Sequence, residues 1–302
     1  MAPVTDVAAA PAPRWYAHRF NRATVYRLGA AVAGTLPRPL RLRMAEALAS
    51  IAGGRFPAER AVVRQNLARI APSMGAAALD ALVAEVFRHF AICFADLISS
   101  NRGDDLEALI AGVDGMAGLD EAARAGRGLV VLTAHVGNWE LAGRLLARHG
   151  ARPTHVVVAA EADPAVERFL RGGTAPVRFV TRTVPTASLS LVTALRRGEI
   201  VALQGDRALG TRGDVLQPFF GAPAAFPLGP FVLARAAGAP VMPAFCLLAA
   251  DRRYRIVVGS PSIVEPGGEV AALARWVATL EDVVRRYPAQ WFNFFDVWSP
   301  PA

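Results

Sequence analysis

Leu129-Val-Val-Leu-Thr-Ala-His135-Val-Gly-Asn138-Trp-Glu140-Leu-Ala-Gly143 is the stretch on which the reading of this chain turns. Its first part is an apolar run of strand length, its middle is broken by Gly137 and Asn138, and a helical pattern follows. Asn138 is a good helix N-cap, because its side-chain oxygen can accept an orphan N–H of the first turn. Glu140 then falls within that turn, where the helix dipole favours a negative charge. The stretch predicts strand, tight turn and helix, an arrangement whose carboxyl end carries the chemistry in open α/β sheets.

The same rhythm continues downstream. Val156 to Ala159, Val177 to Val180, Ile200 to Leu203, Pro240 to Leu247 and Tyr254 to Val258 are further short apolar runs. Gly126, Gly150, Gly198 and Gly238 stand where the intervening helices should close, since glycine takes the left-handed cap conformation without strain. The expectation is an α/β fold, a mostly parallel mixed sheet flanked by helices. Upstream, Leu40, Met44, Leu48 and Ile51, then Val63, Leu67 and Ile70, then Leu79, Leu82, Val86, Phe90 and Leu97 recur at helical spacing and predict an N-terminal helical part. The Ala/Pro-rich residues 1–13 are expected to be disordered, 14–110 to form a helical membrane-associating part, and 111–302 the α/β core of one catalytic unit.

The formal charge of +8 comes from arginine alone, because all 33 Lys+Arg positions are Arg. A guanidinium forks onto phosphates and carboxylates, so an anionic membrane surface, a phosphorylated lipid or an acidic carrier protein suits this surface. No nucleic-acid motif appears, and no nucleic-acid partner is expected. Between Arg14 and Ala45 seven arginines and no acid alternate with Trp15, Tyr16, Phe20 and Tyr26. That composition fits a segment in the headgroup layer, and equally an amphipathic helical pair packed on the domain. No run reaches the ~18 apolar residues of a spanning helix, and the first residues lack the basic start of a signal peptide. Cys93 and Cys246 sit in apolar runs without CxxC spacing, which predicts buried thiols, a reducing compartment and no metal.

His135 and Glu140 would lie about 140° apart on a continuous helix and could not cooperate. With His135 on the strand-end turn, the chain can curl so that the Glu140 carboxylate holds one imidazole nitrogen while the other faces a substrate. Such a base can take the proton of an acceptor hydroxyl as its oxygen attacks a thioester, with no covalent acyl-enzyme. A hydrolase is disfavoured, because no G-x-S-x-G elbow exists and neither cysteine has a polar setting. His18, His89, His149 and His155 read as ordinary surface or core residues.

His135-Val-Gly-Asn-Trp-Glu140 resembles the H-x-x-x-x-[DE] motif of glycerolipid acyltransferases, and its Gly-Asn-Trp-Glu form is similar to the late (lauroyl and myristoyl) acyltransferases of lipid A biosynthesis. Arg64-Gln-Asn-Leu-Ala-Arg69, Val113-Asp-Gly-Met-Ala-Gly-Leu119, Gly205-Asp206-Arg207, Gln217-Pro-Phe-Phe-Gly221 and Ala239-Pro-Val-Met-Pro-Ala-Phe245 are similar to further blocks of that family. The resemblance thus runs from about Tyr26 to Trp298. It implies an enzyme at the cytoplasmic face of the bacterial inner membrane, peripheral or monotopic. Such an enzyme moves a fatty acyl group from acyl carrier protein or coenzyme A to a hydroxyl of a glycolipid such as a lipid A precursor, without a cofactor.

Carried over residue by residue, the resemblance makes His135 the base and Glu140 its orienting carboxylate. Asn138, Asp206 and Arg207 are expected to line a substrate, Arg168 and Arg182 to meet a phosphate or a phosphopantetheine arm, and Phe219, Phe220 and Phe226 to line an acyl groove or the core. Gln204-Gly-Asp-Arg207 departs from the Glu-Gly-Thr-Arg of glycerol phosphate acyltransferases, which favours the glycolipid branch. The tail Tyr287 to Trp298 lacks the usual basic character and looks more like members serving other lipids or polyene pigments. A non-catalytic membrane-binding module is the alternative of another class.

Overall fold

A computed structural model describes residues 29, 31, 35–53, 55–100, 106–118, 122, 126–149, 152–158, 177–181 and 187–299. Three helices come first: α1 (Arg38–Gly53), α2 (Pro57–Ile70) and α3 (Ala76–Ser100). In α2, Pro57 occupies the first turn with Glu59, and Arg69 the last, the order that the helix dipole favours. In α3, Leu79, Val83 and Val86 are buried at helical spacing, and from Ile92 onward both faces are largely covered.

A seven-stranded sheet follows, built from β1 (Ile110–Asp114), β2 (Leu129–Thr133), β3 (Thr154–Val158), β4 (Val177–Thr181), β5 (Ile200–Gln204), β8 (Val241–Leu248) and β9 (Tyr254–Val258). Its order is β1-β9-β8-β2-β5-β3-β4, and every pairing is parallel except β8 with β9. All five residues of β2 are buried, as befits a central strand covered on both faces. Among the intervening helices, α4 (Trp139–His149) follows β2, α5 (Ala187–Arg196) precedes β5, α6 (Gly229–Ala237) precedes β8, and α7 (Glu269–Arg286) follows β9. Gly126, Gly198 and Gly238 all take positive φ, as expected of helix-closing glycines, whereas Gly150 lies outside the described residues.

Two features depart from the sequence expectation. β1 was not anticipated, since Gly112 interrupts its apolar run. The other is an antiparallel hairpin, β6 (Asp214–Phe219) and β7 (Ala222–Pro227), whose strands carry Pro218, Pro223 and Pro227. A two-stranded ribbon has only edges, so proline is tolerated there as it would not be in a central strand. Its two-residue turn places both Phe220 (φ 49°) and Gly221 (φ 76°) in the left-handed region. Glycine does so freely; Phe220 is held there because its N–H donates to the Glu281 carboxylate and the Arg285 guanidinium lies 5.1 Å from its ring centre.

The main core lies between the sheet and helices α5, α6 and α7, where Trp276 stacks on Phe245 at 5.8 Å. A second cluster joins α1, α2 and α3 to α4 and to the end of β8. The N-terminal helices are also fastened by charge. Asp96 of α3, fully buried, accepts Arg38 through both oxygens at 3.0 and 2.8 Å and the Tyr254 hydroxyl at 2.9 Å, with Arg41 at 3.7 Å. Of the two readings of the arginine-rich segment, Arg38 and Arg41 fit the one that packs it on the domain, since both turn inward to Asp96, and residues 14–28 lie outside the described residues. α1 exposes Leu40, Leu48 and Ile51 at 49%, 57% and 62%, beside Arg43 and Ser50. Among the described residues, no helix is long and apolar enough to cross a membrane.

Removing the carboxylate from this cluster strands buried guanidinium groups. Asp96→Ala is expected to lower stability by roughly 3–5 kcal/mol, read from the midpoint of urea denaturation at unchanged slope.

Candidate active site

β2 and β5 are adjacent parallel strands in register, Thr133 beside Gln204, so the loops that leave their carboxyl ends must start side by side. His135 stands on the first loop and Asp206 on the second. The Asp206 carboxylate receives two hydrogen bonds from His135, one from the backbone N–H at 3.0 Å and one at the imidazole Nδ1 at 2.8 Å. With the carboxylate ionised, Nδ1 carries the proton and donates it, so in the neutral ring Nε2 is the nitrogen without a proton. Trp139 tilts against the imidazole at a ring separation of 4.7 Å. Both members are buried, His135 being the more accessible, since the Asp206 side chain is 1% exposed and that of His135 11%.

Burial alone would raise the Asp206 pKa. The charge of His135, its hydrogen bonds and the nearby Arg207 guanidinium outweigh that effect and bring the carboxyl below its ordinary range. Asp206 is therefore ionised across the neutral range.

The loop between β2 and α4 is shaped by Gly137. At φ +63° it brings its backbone against β8, and a Cβ there would meet the Cys246 carbonyl oxygen at 2.1 Å. The next N–H, of Asn138, donates to that same oxygen at 2.7 Å. Asn138 caps α4, its Oδ1 accepting the Leu141 N–H at 3.3 Å, while its Nδ2 donates to the Cys93 carbonyl at 3.0 Å and the Tyr254 hydroxyl at 3.1 Å. Tyr254 in turn donates to Asp96, so a buried chain of polar contacts runs from α1 to the start of α4. Asn138, expected to line a substrate, is 3% exposed and committed to these contacts. Burial pushes the Cys93 thiol up to about 12 and raises that of Cys246 as well, so neither is a nucleophile.

The remaining expected residues are distributed as follows. Glu140 is in the first turn of α4 and half-buried, and the carboxylate on His135 Nδ1 is that of Asp206, 71 positions away. Arg207 donates to Asn293 Oδ1 at 2.9 Å and to the Phe292 carbonyl at 2.8 Å, bracing the tail. Phe219 and Phe226 are fully buried core residues, Phe219 packing on Trp291 and Trp298, and Phe220 belongs to the hairpin turn. None of the three is in ring contact with His135 or Trp139. Arg168 and Arg182 lie outside the described residues. Elsewhere, His155 pairs with Glu199 at 2.5 Å at the amino ends of β3 and β5, beside a surface cavity of about 410 Å³ on the sheet edge away from His135. Among the described residues, no group of three or more His, Cys, Asp or Glu could hold a metal ion.

A row of aromatic rings leads away from the imidazole. From Trp139, in contact with His135, aromatic rings continue to Phe292 at 6.1 Å, Phe90 at 5.4 Å, and then Phe94 at 6.2 Å and Phe294 at 5.2 Å. Trp139, Phe90, Phe94 and Phe294 are each partly exposed, so this wall has an accessible side.

Residues 19–299 match the family described as bacterial lipid A biosynthesis acyltransferase. Among individual relatives, a phosphatidylinositol mannoside acyltransferase of Mycobacterium tuberculosis (strain ATCC 25618 / H37Rv) is 31% identical over 262 residues, which is 78% of this chain and 76% of the relative. A protein of the same name from Mycolicibacterium smegmatis (strain ATCC 700084 / mc(2)155) is 26% identical over 294 residues, 90% of each chain.

A carboxyl with a depressed native pKa contributes stability that is present above the unfolded value of about 3.9 and lost as pH falls through the native one. The stability advantage of wild type over Asp206→Asn should therefore shrink as pH falls below about 4, as followed by urea denaturation at a series of pH values.

Proposed function

The chain belongs to the bacterial lipid A biosynthesis acyltransferase family and is an acyl-transferring enzyme; on that premise we propose that it moves a fatty acyl group from a thioester, on acyl carrier protein or coenzyme A, to a sugar hydroxyl of a membrane glycolipid. The observation that carries this reading is the imidazole held by the buried Asp206 carboxylate at Nδ1, the geometry that orients a general base. His135 Nε2 takes the proton of the acceptor hydroxyl as the oxygen attacks the thioester carbonyl. The tetrahedral intermediate collapses, the C–S bond breaks, and the imidazolium returns its proton to the departing sulfur. Asp206 stabilises the imidazolium between these steps, and no residue is acylated. Glu140, one residue from Trp139 in the positive end of α4, supports the same imidazole from the helix side.

The acyl chain lies along the aromatic wall of Trp139, Phe90, Phe94 and Phe294, in place of the Phe219 and Phe220 expected from sequence. The acceptor is a glycolipid with an anionic headgroup, in keeping with relatives named for phosphatidylinositol mannoside and with the arginine-derived charge of +8. A lipid A precursor has the same chemistry, a sugar hydroxyl on a phosphorylated lipid, and is the second acceptor to test. The enzyme works at the cytoplasmic face of the inner membrane as a peripheral or monotopic protein, α1 offering Leu40, Leu48 and Ile51 to the lipid.

In a transfer assay with labelled acyl thioester and each acceptor class, identified by mass, His135→Ala should lose on the order of a hundredfold to ten-thousandfold in kcat. Equal transfer by wild type and His135→Ala would remove the base assignment. Phe90→Ala should broaden the preference between short- and long-chain thioesters offered in competition, whereas Phe220→Ala should leave that preference unchanged.

A further inference from the structure

The tail that follows α7 makes a dense set of polar contacts beside the site. After α7 the chain makes a short 3-10 turn, Pro288–Gln290, and then runs beside the loop that carries His135. Gln290 accepts the Gly137 N–H at 2.9 Å, and the Phe292 N–H donates to the His135 carbonyl at 2.8 Å. With the antiparallel bridge of Trp291 to Val136, this is a strand pairing three residues long. The other side of Phe292 is also used, its carbonyl accepting Arg207 Nη2 at 2.8 Å. One peptide segment therefore ties the loop of His135 to the loop of Asp206.

What anchors this segment to the sheet is a side chain. The Gln290 amide takes the Leu248 N–H on Oε1 and gives its Nε2–H to the Leu248 carbonyl, both at 2.8 Å. Leu248 is the last residue of β8, and a neighbouring strand would offer it the same donor and acceptor. At 4% exposure the amide is sheltered from water, so these bonds have no solvent substitute. Asn66 of α2 adds a clamp further along, donating to the Asn293 and Phe295 carbonyls at 3.1 and 2.8 Å.

We propose that Gln290 is a positioning residue for acyl transfer: by standing in for a strand at the end of β8, it fixes the segment Gln290–Phe292 that sets the separation of His135 and Asp206. Gln290 touches neither substrate nor the reacting atoms and acts through the main chain of Phe292. The inference rests on the base role given to His135 above.

The test uses the full chain, a labelled long-chain acyl-coenzyme A and a membrane lipid extract, with wild type, His135→Ala, Gln290→Met and Gln290→Glu. Gln290→Met keeps the volume and removes both hydrogen bonds. A cooperative melt confirms that it folds, and kcat should fall by about ten- to a hundredfold, as for a displaced catalytic group, with KM for the thioester within about twofold. Gln290→Glu, when ionised, sets a carboxylate against the Leu248 carbonyl; when protonated it restores the donor. Its kcat relative to wild type should therefore rise as pH falls from 8 to 6, a recovery that Gln290→Met should not show. Full kcat in folded Gln290→Met, or a loss confined to melting temperature with no pH recovery in Gln290→Glu, overturns the proposal while an inactive His135→Ala leaves the base assignment standing. Wild-type transfer by His135→Ala overturns the base assignment itself, and the kinetic role of Gln290 with it.

Discussion

Everything in the site depends on one buried contact, the 2.8 Å hydrogen bond between the His135 imidazole and the Asp206 carboxylate. A carboxylate at 1% exposure has lost its hydration, and only paired and charge-assisted hydrogen bonds make that tolerable. His135 supplies two of them, from its backbone and from its ring. The arrangement follows from topology, because β2 and β5 are neighbouring parallel strands and their carboxyl ends deliver the two residues to one place. Once Asp206 is ionised and fixed, the tautomer of the imidazole is fixed too, and so is the nitrogen left for chemistry.

The rest of the molecule reads as support for that geometry from two directions. On one side, Asp96 gathers Arg38, Arg41 and Tyr254, and Tyr254 passes the restraint to Asn138 at the start of α4. On the other, the tail lies along the His135 loop and is braced by Arg207, Gln290 and Asn66. The helical N-terminal part and the last residues of the chain thus converge on a loop of five residues in the middle. Aromatic rings fill the space between them, which leaves an apolar wall leading away from the imidazole. A histidine held by a buried carboxylate beside an apolar wall is what the proposed transfer of an acyl chain to a hydroxyl calls for.

Much of this was legible in the residues themselves. β2, β5, β8 and β9 are apolar runs bounded by turn residues, and Asn138 announces the start of α4 by its chemistry. Local patterns stop at local structure, however. Glu140 is five positions from His135 and Asp206 is seventy-one, and spacing favours the nearer carboxylate; only the pairing of β2 with β5 makes Asp206 the partner on Nδ1. The available signal was that Asp206 ends a buried strand, as His135 does. Phe219 and Phe220 resembled a groove because aromatics serve cores and ligand walls equally, and their position relative to His135 is a tertiary fact. Arg38 and Arg41 read as headgroup ligands because their acid, Asp96, is buried in an apolar helix more than fifty residues on. Gln290 carried no signal beyond being polar among aromatics, and the hairpin was hidden by prolines that a lone ribbon accommodates.

The most direct test of the account is nitrogen NMR of histidine-labelled protein, with the His135 signals assigned by their loss in His135→Ala. At a pH where the ring is neutral, the account predicts an imidazole protonated at Nδ1 and unprotonated at Nε2, and disturbance of that tautomer in Asp206→Asn. A wild-type imidazole protonated at Nε2 and bare at Nδ1 would contradict it, since the nitrogen assigned to the acceptor hydroxyl would then have no lone pair to receive a proton.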